Sequence, residues 1–88
     1  MTETEQELIA RWIEPDPHLP DPAEVRVRGT GIHVWAIVGQ WQAADRDVAA
    51  VAQDYELPIE AVEAALAYYR RQQCLIDARL AANQLSVA

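Results

Sequence analysis

The sequence predicts a mainly α domain: a short N-terminal β-ribbon, a tri-helical core containing a helix-turn-helix, and a long C-terminal helix. Three observations carry this. Val25-Arg26-Val27-Arg28 alternates apolar and charged residues, as a half-buried strand does, and Gly29-Thr30-Gly31 closes it. Val48, Val51, Ala52 and Tyr55 recur at helical spacing until Leu57-Pro58 ends one helix and opens another. From Ile59 to Asn83 no glycine or proline interrupts a run of good helix formers.

Taken in order, residues 2–13 read as a short helix. Thr2 with Glu5 and Thr4 with Glu7 both match the spacing in which a hydroxyl caps a helix and a carboxylate reaches back. Leu8, Ile9, Trp12 and Ile13 share one face, so this helix needs a surface to dock on. Pro15, Pro17, Pro20 and Pro22 exclude helix and sheet interior, which predicts an extended linker over the surface. The strand covers 24–28, with Glu24, Arg26 and Arg28 on one face and Val25 and Val27 on the other. A helix over 34–43 buries Val34, Ile37, Val38 and Trp41, and Asp45 is the expected cap of the next helix. In the last helix Ile59, Val62, Leu66, Tyr69, Gln73, Ile76, Leu80 and Asn83 are spaced 3-4-3-4, a heptad-like seam. Its second half extends past what the other helices could cover. Tyr69, Ile76 and Leu80 are therefore the expected homodimer contacts. The division that follows is 1–23 as helix and linker, 24–83 as the folded domain, and 84–88 as a tail.

Bulk composition narrows the function. The 88 residues make one small domain, a size often stabilised by a partner chain. No run of about 18 apolar residues predicts a membrane span. The acidic N-terminus lacks a signal peptide, and a single cysteine, Cys74, excludes an intrachain disulfide; a cytoplasmic protein is expected. The formal net charge is −7 and the seven basic residues are all arginine. That balance favours a basic partner over a phosphate-lined one.

Catalytic and metal chemistry find no constellation, so no enzyme, cofactor or metal is expected. His18 and His33 have no second histidine or cysteine at ligand spacing, and the hydroxyls form no group with them. Asp45 and Asp47 read as helix-capping residues rather than a carboxylate site. For nucleic acid, the helix beginning near Pro58 would turn Ile59, Glu60, Glu63, Ala64 and Ala67 outward. Two carboxylates without an accompanying cation are wrong for a DNA groove. Arg26 and Arg28 on the ribbon, with Thr30 at its tip, are the candidate contacts to operator DNA, and Arg70-Arg71 on the long helix are the other cationic candidates. The alternative is that these arginines pair with Glu24 or with an acidic neighbouring chain. Core packing accounts for most of the three indoles, Trp12, Trp35 and Trp41; at least one exposed tryptophan would be a good interface anchor.

Val27-Arg28-Gly29-Thr30-Gly31-Ile32, the Val48–Tyr55 helix and the segment from Leu57 to Tyr68 together resemble the small bacterial proteins of the domain-of-unknown-function 433 family (DUF433). The resemblance covers roughly residues 12–80. It implies a homeodomain-like core behind a β-ribbon, often dimeric, and an antitoxin-like protein paired with a PIN-like ribonuclease toxin, autoregulating its operon. In that reading Ile76, Leu80, Leu85 and Val87 are the apolar anchors for the toxin. The alternatives are a DNA-binding transcription regulator without a toxin, and a purely structural dimerisation module. Two basic residues common in the family, one after the Gly-Thr pair and one before the strand, are absent here.

Overall fold

The computed structural model describes residues 4–85, with Leu85 in backbone only. Five α-helices and a two-stranded antiparallel sheet follow one another as α1 (Glu5–Trp12), β1 (Ile13–Glu14), a 3-10 turn (Pro22–Glu24), β2 (Arg26–Val27), α2 (Val34–Ala43), α3 (Val48–Tyr55), α4 (Ile59–Arg71) and α5 (Gln73–Leu85). Of the two capping pairs at the start, Thr4 and Glu7 form the one described. The Glu7 amide donates to Thr4 Oγ1 at 3.1 Å and the hydroxyl donates back to Glu7 Oε1 at 2.9 Å. Thr2 lies outside the described residues.

The chain leaves α1 as a strand rather than a linker. Ile13 pairs with Val27 and Glu14 with Arg26, so the ribbon closes within one chain and needs no second copy. The proline-rich segment is not extended. Asp16 is buried and turns it: the His18 amide donates to Asp16 Oδ1 at 2.8 Å and the Leu19 amide to the Asp16 carbonyl at 3.2 Å. Glu24 belongs to the 3-10 turn capped by Asp21, leaving only Arg26–Val27 as the second strand. The expected alternation survives, with Val25 and Val27 buried.

α2 buries Val34, Ile37 and Val38 as expected, while Trp41 is partly covered. The cap of α3 is Asp47, not Asp45; Asp47 accepts from the Ala50 amide at 3.1 Å. Asp45 and Arg46 instead take left-handed φ values of 56° and 61°, so this turn holds two non-glycine residues where glycine is the unstrained choice. Glu56, also left-handed, ends α3, and the Leu57 amide donates to the Ala52 carbonyl at 2.8 Å.

α4 is the axis of the molecule. Ala61, Val62, Ala64, Ala65, Leu66, Ala67 and Tyr69 are all buried, because α1, α2 and α3 each pack against it. The alanines permit that many close approaches. Ala64 and Ala67, expected on the outward face, are fully covered. α1 lies antiparallel on α4: Glu5 meets Arg70 and Arg71, and Arg11 meets Glu60 at 3.7 Å.

The single long C-terminal helix is divided in two. Gln72 leaves helical geometry (φ −127°, ψ 39°), and α5 packs on α2 and on the 3-10 turn. Contacts along its length hold it there, among them the Arg79–Glu24 ion pair. Ile76 is fully buried, the Tyr69 hydroxyl donates to Asp77 at 2.7 Å, and Leu80 approaches α2 so closely that a Cβ at Gly39 would meet its Cδ2 at 3.2 Å. The seam that implied a second chain is thus covered largely by its own. Among the described residues no helix is long and apolar enough to cross a membrane.

Candidate functional site

Each arginine is used within the chain. Arg26 Nε donates to Glu14 Oε2 at 2.8 Å across the ribbon. Arg28 reaches the C-terminal end of α1, where it donates to the carbonyls of Ala10 and Arg11, groups that helix geometry leaves without an internal partner, and to the Ile13 carbonyl of β1, all at 3.1–3.3 Å. Thr30 Oγ1 donates to the Val27 carbonyl at 2.9 Å and accepts from the Ile32 amide at 3.0 Å, closing the turn after β2. The three residues marked for operator DNA are thus joined in one place, but by contacts that build the ribbon. Glu14, which sequence reasoning passed over, is the carboxylate that pairs both ribbon arginines, not Glu24. Arg70 and Arg71 hold Glu5, and the Arg46 guanidinium sits 5.6 Å from the Trp41 ring centroid.

Glu24 serves a second cluster. It accepts from Arg79 Nε and from Trp35 Nε1 at 3.3 Å, and lies 3.8 Å from His33 Nε2. The Arg79 guanidinium covers the Trp35 ring at 4.3 Å, and His33 stacks on the same indole at 5.9 Å. His33 Nε2 also meets Asp16 Oδ2 at 3.0 Å. This cluster ties the turned linker, α2 and α5 together. Among the described residues no three His, Cys, Asp or Glu side chains are placed to hold a metal ion.

Both oxygens of Asp16 are engaged, and its pKa is held below the ordinary 3.8, first by the His18 amide and then by the His33 side chain. A carboxyl with a depressed folded-state pKa stabilises the fold above its unfolded value and loses that contribution as the pH falls. Asp16→Asn is therefore expected to be less stable than the parent at neutral pH, with the difference narrowing below about pH 4. Urea unfolding at a series of pH values measures it; a difference constant with pH would mean that the ionised carboxylate is not what holds the turn.

The candidate surface lies on the other side of α4. Ile59, Glu63, Leu66 and Arg70 stand at i, i+4, i+7 and i+11, one stripe of α4, and with Val48 and Ala49 of α3 they line a concavity of about 400 Å³. Ile59 is 50% exposed. Among the described residues Glu63 has no cationic partner, whereas Arg70 shares the Glu5 carboxylate with Arg71. From sequence, Ile59 and Glu63 were expected to face outward and Glu63 to argue against a DNA groove, while Leu66 was placed in the helical seam; their joining with α3 in one concavity was not foreseen.

Ile76 and Leu80, marked for both dimer and toxin, lie respectively inside and against the monomer core, and Tyr69 is buried at the α4–α5 bend. Val87 and the Leu85 side chain lie outside the described residues. All three tryptophans are partly buried against the core, as core packing implied.

The family model described as "Protein of unknown function (DUF433)" matches residues 23–69. No curated protein and no solved structure matches the chain.

Proposed function

The chain belongs to the DUF433 family, whose function is unknown, and from that premise we propose that it is an antitoxin-like protein: a non-enzymatic cytoplasmic module that binds a PIN-like ribonuclease and neutralises it by covering its basic RNA-binding surface. One observation carries the reading. All seven arginines are engaged inside the chain, while exposed carboxylates such as Asp45, Glu56 and Glu63 have no cationic partner among the described residues. A surface of that kind attracts a cationic partner and repels a phosphate backbone. The homeodomain-like core, α2 to α4, then acts as a scaffold rather than as a base reader, with α1 occupying the α4 face that a DNA groove would need.

The experiment is co-expression of the full chain with a PIN-like ribonuclease encoded beside its gene. The expected result is rescue of growth and co-purification of a complex that weakens as salt rises. In parallel, a duplex carrying the chain's own promoter should show no sequence-specific binding by fluorescence anisotropy. Specific, salt-sensitive promoter binding without nuclease binding would overturn the proposal in favour of a transcription regulator.

A further inference from the structure

Gln72 is the whole of the link between α4 and α5, and its dihedral angles alone interrupt the helix. Helical bonds run up to it and on from it. The Gln72 amide donates to the Tyr68 carbonyl at 3.0 Å, and the Ile76 amide to the Gln72 carbonyl at 3.0 Å. Rotation at this one residue would let the Gln73, Cys74 and Leu75 amides, which the first turn of α5 leaves without helical partners, donate to the carbonyls of Tyr69, Arg70 and Arg71. The sequence favours that outcome. No glycine or proline stands between Ile59 and Leu85, and Leu66, Tyr69, Gln73, Ile76 and Leu80 keep the 3-4 spacing across the bend. The chain bends because α5 finds its site on α2 and the 3-10 turn. We infer that this site also takes the α5 of a second copy: two chains straighten at Gln72 and exchange their last helices in a closed dimer. Every contact of α5 is kept and only changes owner. Ile76 enters the core of the other chain, Leu80 rests on its Gly39, Asp77 accepts from its Tyr69 hydroxyl, and Arg79 meets its Glu24. A second copy is the fitting occupant because the site already holds this same helix. The dimer gains helix at two hinges, against the freedom lost on association and the net charge of −7 on each chain. Concentration and salt therefore both favour it, and the dilute chain is the monomer described above.

Light scattering on the full chain, refolded from urea at micromolar to millimolar concentration, is the first measurement. The mass is expected to double as the concentration rises, and to do so earlier at higher salt. Gln72→Ala should dimerise at least about tenfold more tightly than Gln72→Gly, since the helix propensity of this position counts at both hinges. Ownership of α5 is read with Glu24→Arg and Arg79→Glu. Within either variant alone the two positions carry like charge. Refolded together, the Glu24→Arg chain lends its native Arg79 to the native Glu24 of the other, so one docking site is wholly native and the second holds the same ion pair reversed. Native mass spectrometry should find the mixed dimer at least about tenfold tighter than either variant's own dimer. A charge variant that unfolds alone and folds with its complement, by circular dichroism, supports the exchange equally; should a variant fold in neither setting, the two Gln72 variants decide. A mass that stays monomeric for both the parent and Gln72→Ala, or a dimer indifferent to residue 72, would overturn the proposal. So would folded charge variants with no preference for each other, because their dimer would then lie side by side with each α5 on its own chain.

Discussion

Replacing Ile76 by alanine is expected to lower the stability of the chain by about 2–5 kcal/mol, a large share of the roughly 5–15 kcal/mol that holds an ordinary domain together. Ile76 has no exposed surface, and its side chain fills the junction where α5 returns over the core. Removing three carbons there loses their transfer free energy and leaves a cavity that the neighbours refill only in part. The urea midpoint should fall while the sedimentation coefficient of the folded chain stays the same. That combination distinguishes a core residue from an interface residue. Had the seam of Tyr69, Ile76 and Leu80 been the contact with a second copy, the substitution would have shifted the association equilibrium and left the monomer's own stability little changed. An unchanged midpoint would show that α5 does not dock as described.

The same region shows why part of the fold was legible and part was not. Faces were legible, because burial leaves a period in the sequence. Val34, Ile37 and Val38 on α2 and Val51 and Ala52 on α3 were identified as core and are buried. The break at Gln72 left no such mark. Arg71, Gln72 and Gln73 are good helix formers, and a 3-4 seam reads the same whether one helix runs straight on or two helices meet at a bend. What breaks the helix is tertiary: Ile76 buried, Tyr69 bonded to Asp77, Arg79 drawn to Glu24. Gly39 was the available hint, a glycine inside α2 where only a close neighbour explains the missing side chain. The strand β1 was hidden for a different reason. Two residues, Ile13 and Glu14, are too few to show alternation, and Ile13 also continued the apolar face of α1. At the candidate site the residues Ile59 and Glu63 were correctly expected at the surface, and their objection to DNA was read from charge alone. The concavity beside them depends on how α3 crosses α4, which no local pattern encodes.

Ala67→Arg tests that arrangement of α4 most directly, and it is expected to destabilise the chain by at least about 3 kcal/mol. On a helix lying free in a DNA groove, Ala64 and Ala67 would be surface positions, where substitutions change stability by only about 0.5 kcal/mol and an added arginine would strengthen phosphate binding. Here both are fully covered, because α1 is laid along α4 and fixed at its two ends by Glu5 with Arg70 and Arg71 and by Arg11 with Glu60. A guanidinium at position 67 must either enter an apolar layer without a partner or push a neighbouring helix aside, and each route forfeits packing that the small alanine allowed. Glu63→Arg, one turn away on the exposed stripe, makes a larger change of charge and should move the urea midpoint by no more than about 0.5 kcal/mol equivalent. The contrast between the two variants is the measurement. If both are tolerated alike, α1 does not enclose α4, and a full helix face is open to a nucleic-acid groove. If Ala67→Arg unfolds the chain while Glu63→Arg does not, α1 encloses one face of α4 and the open stripe is that of Ile59, Glu63 and Arg70, so a nucleic-acid groove finds no free helix face there.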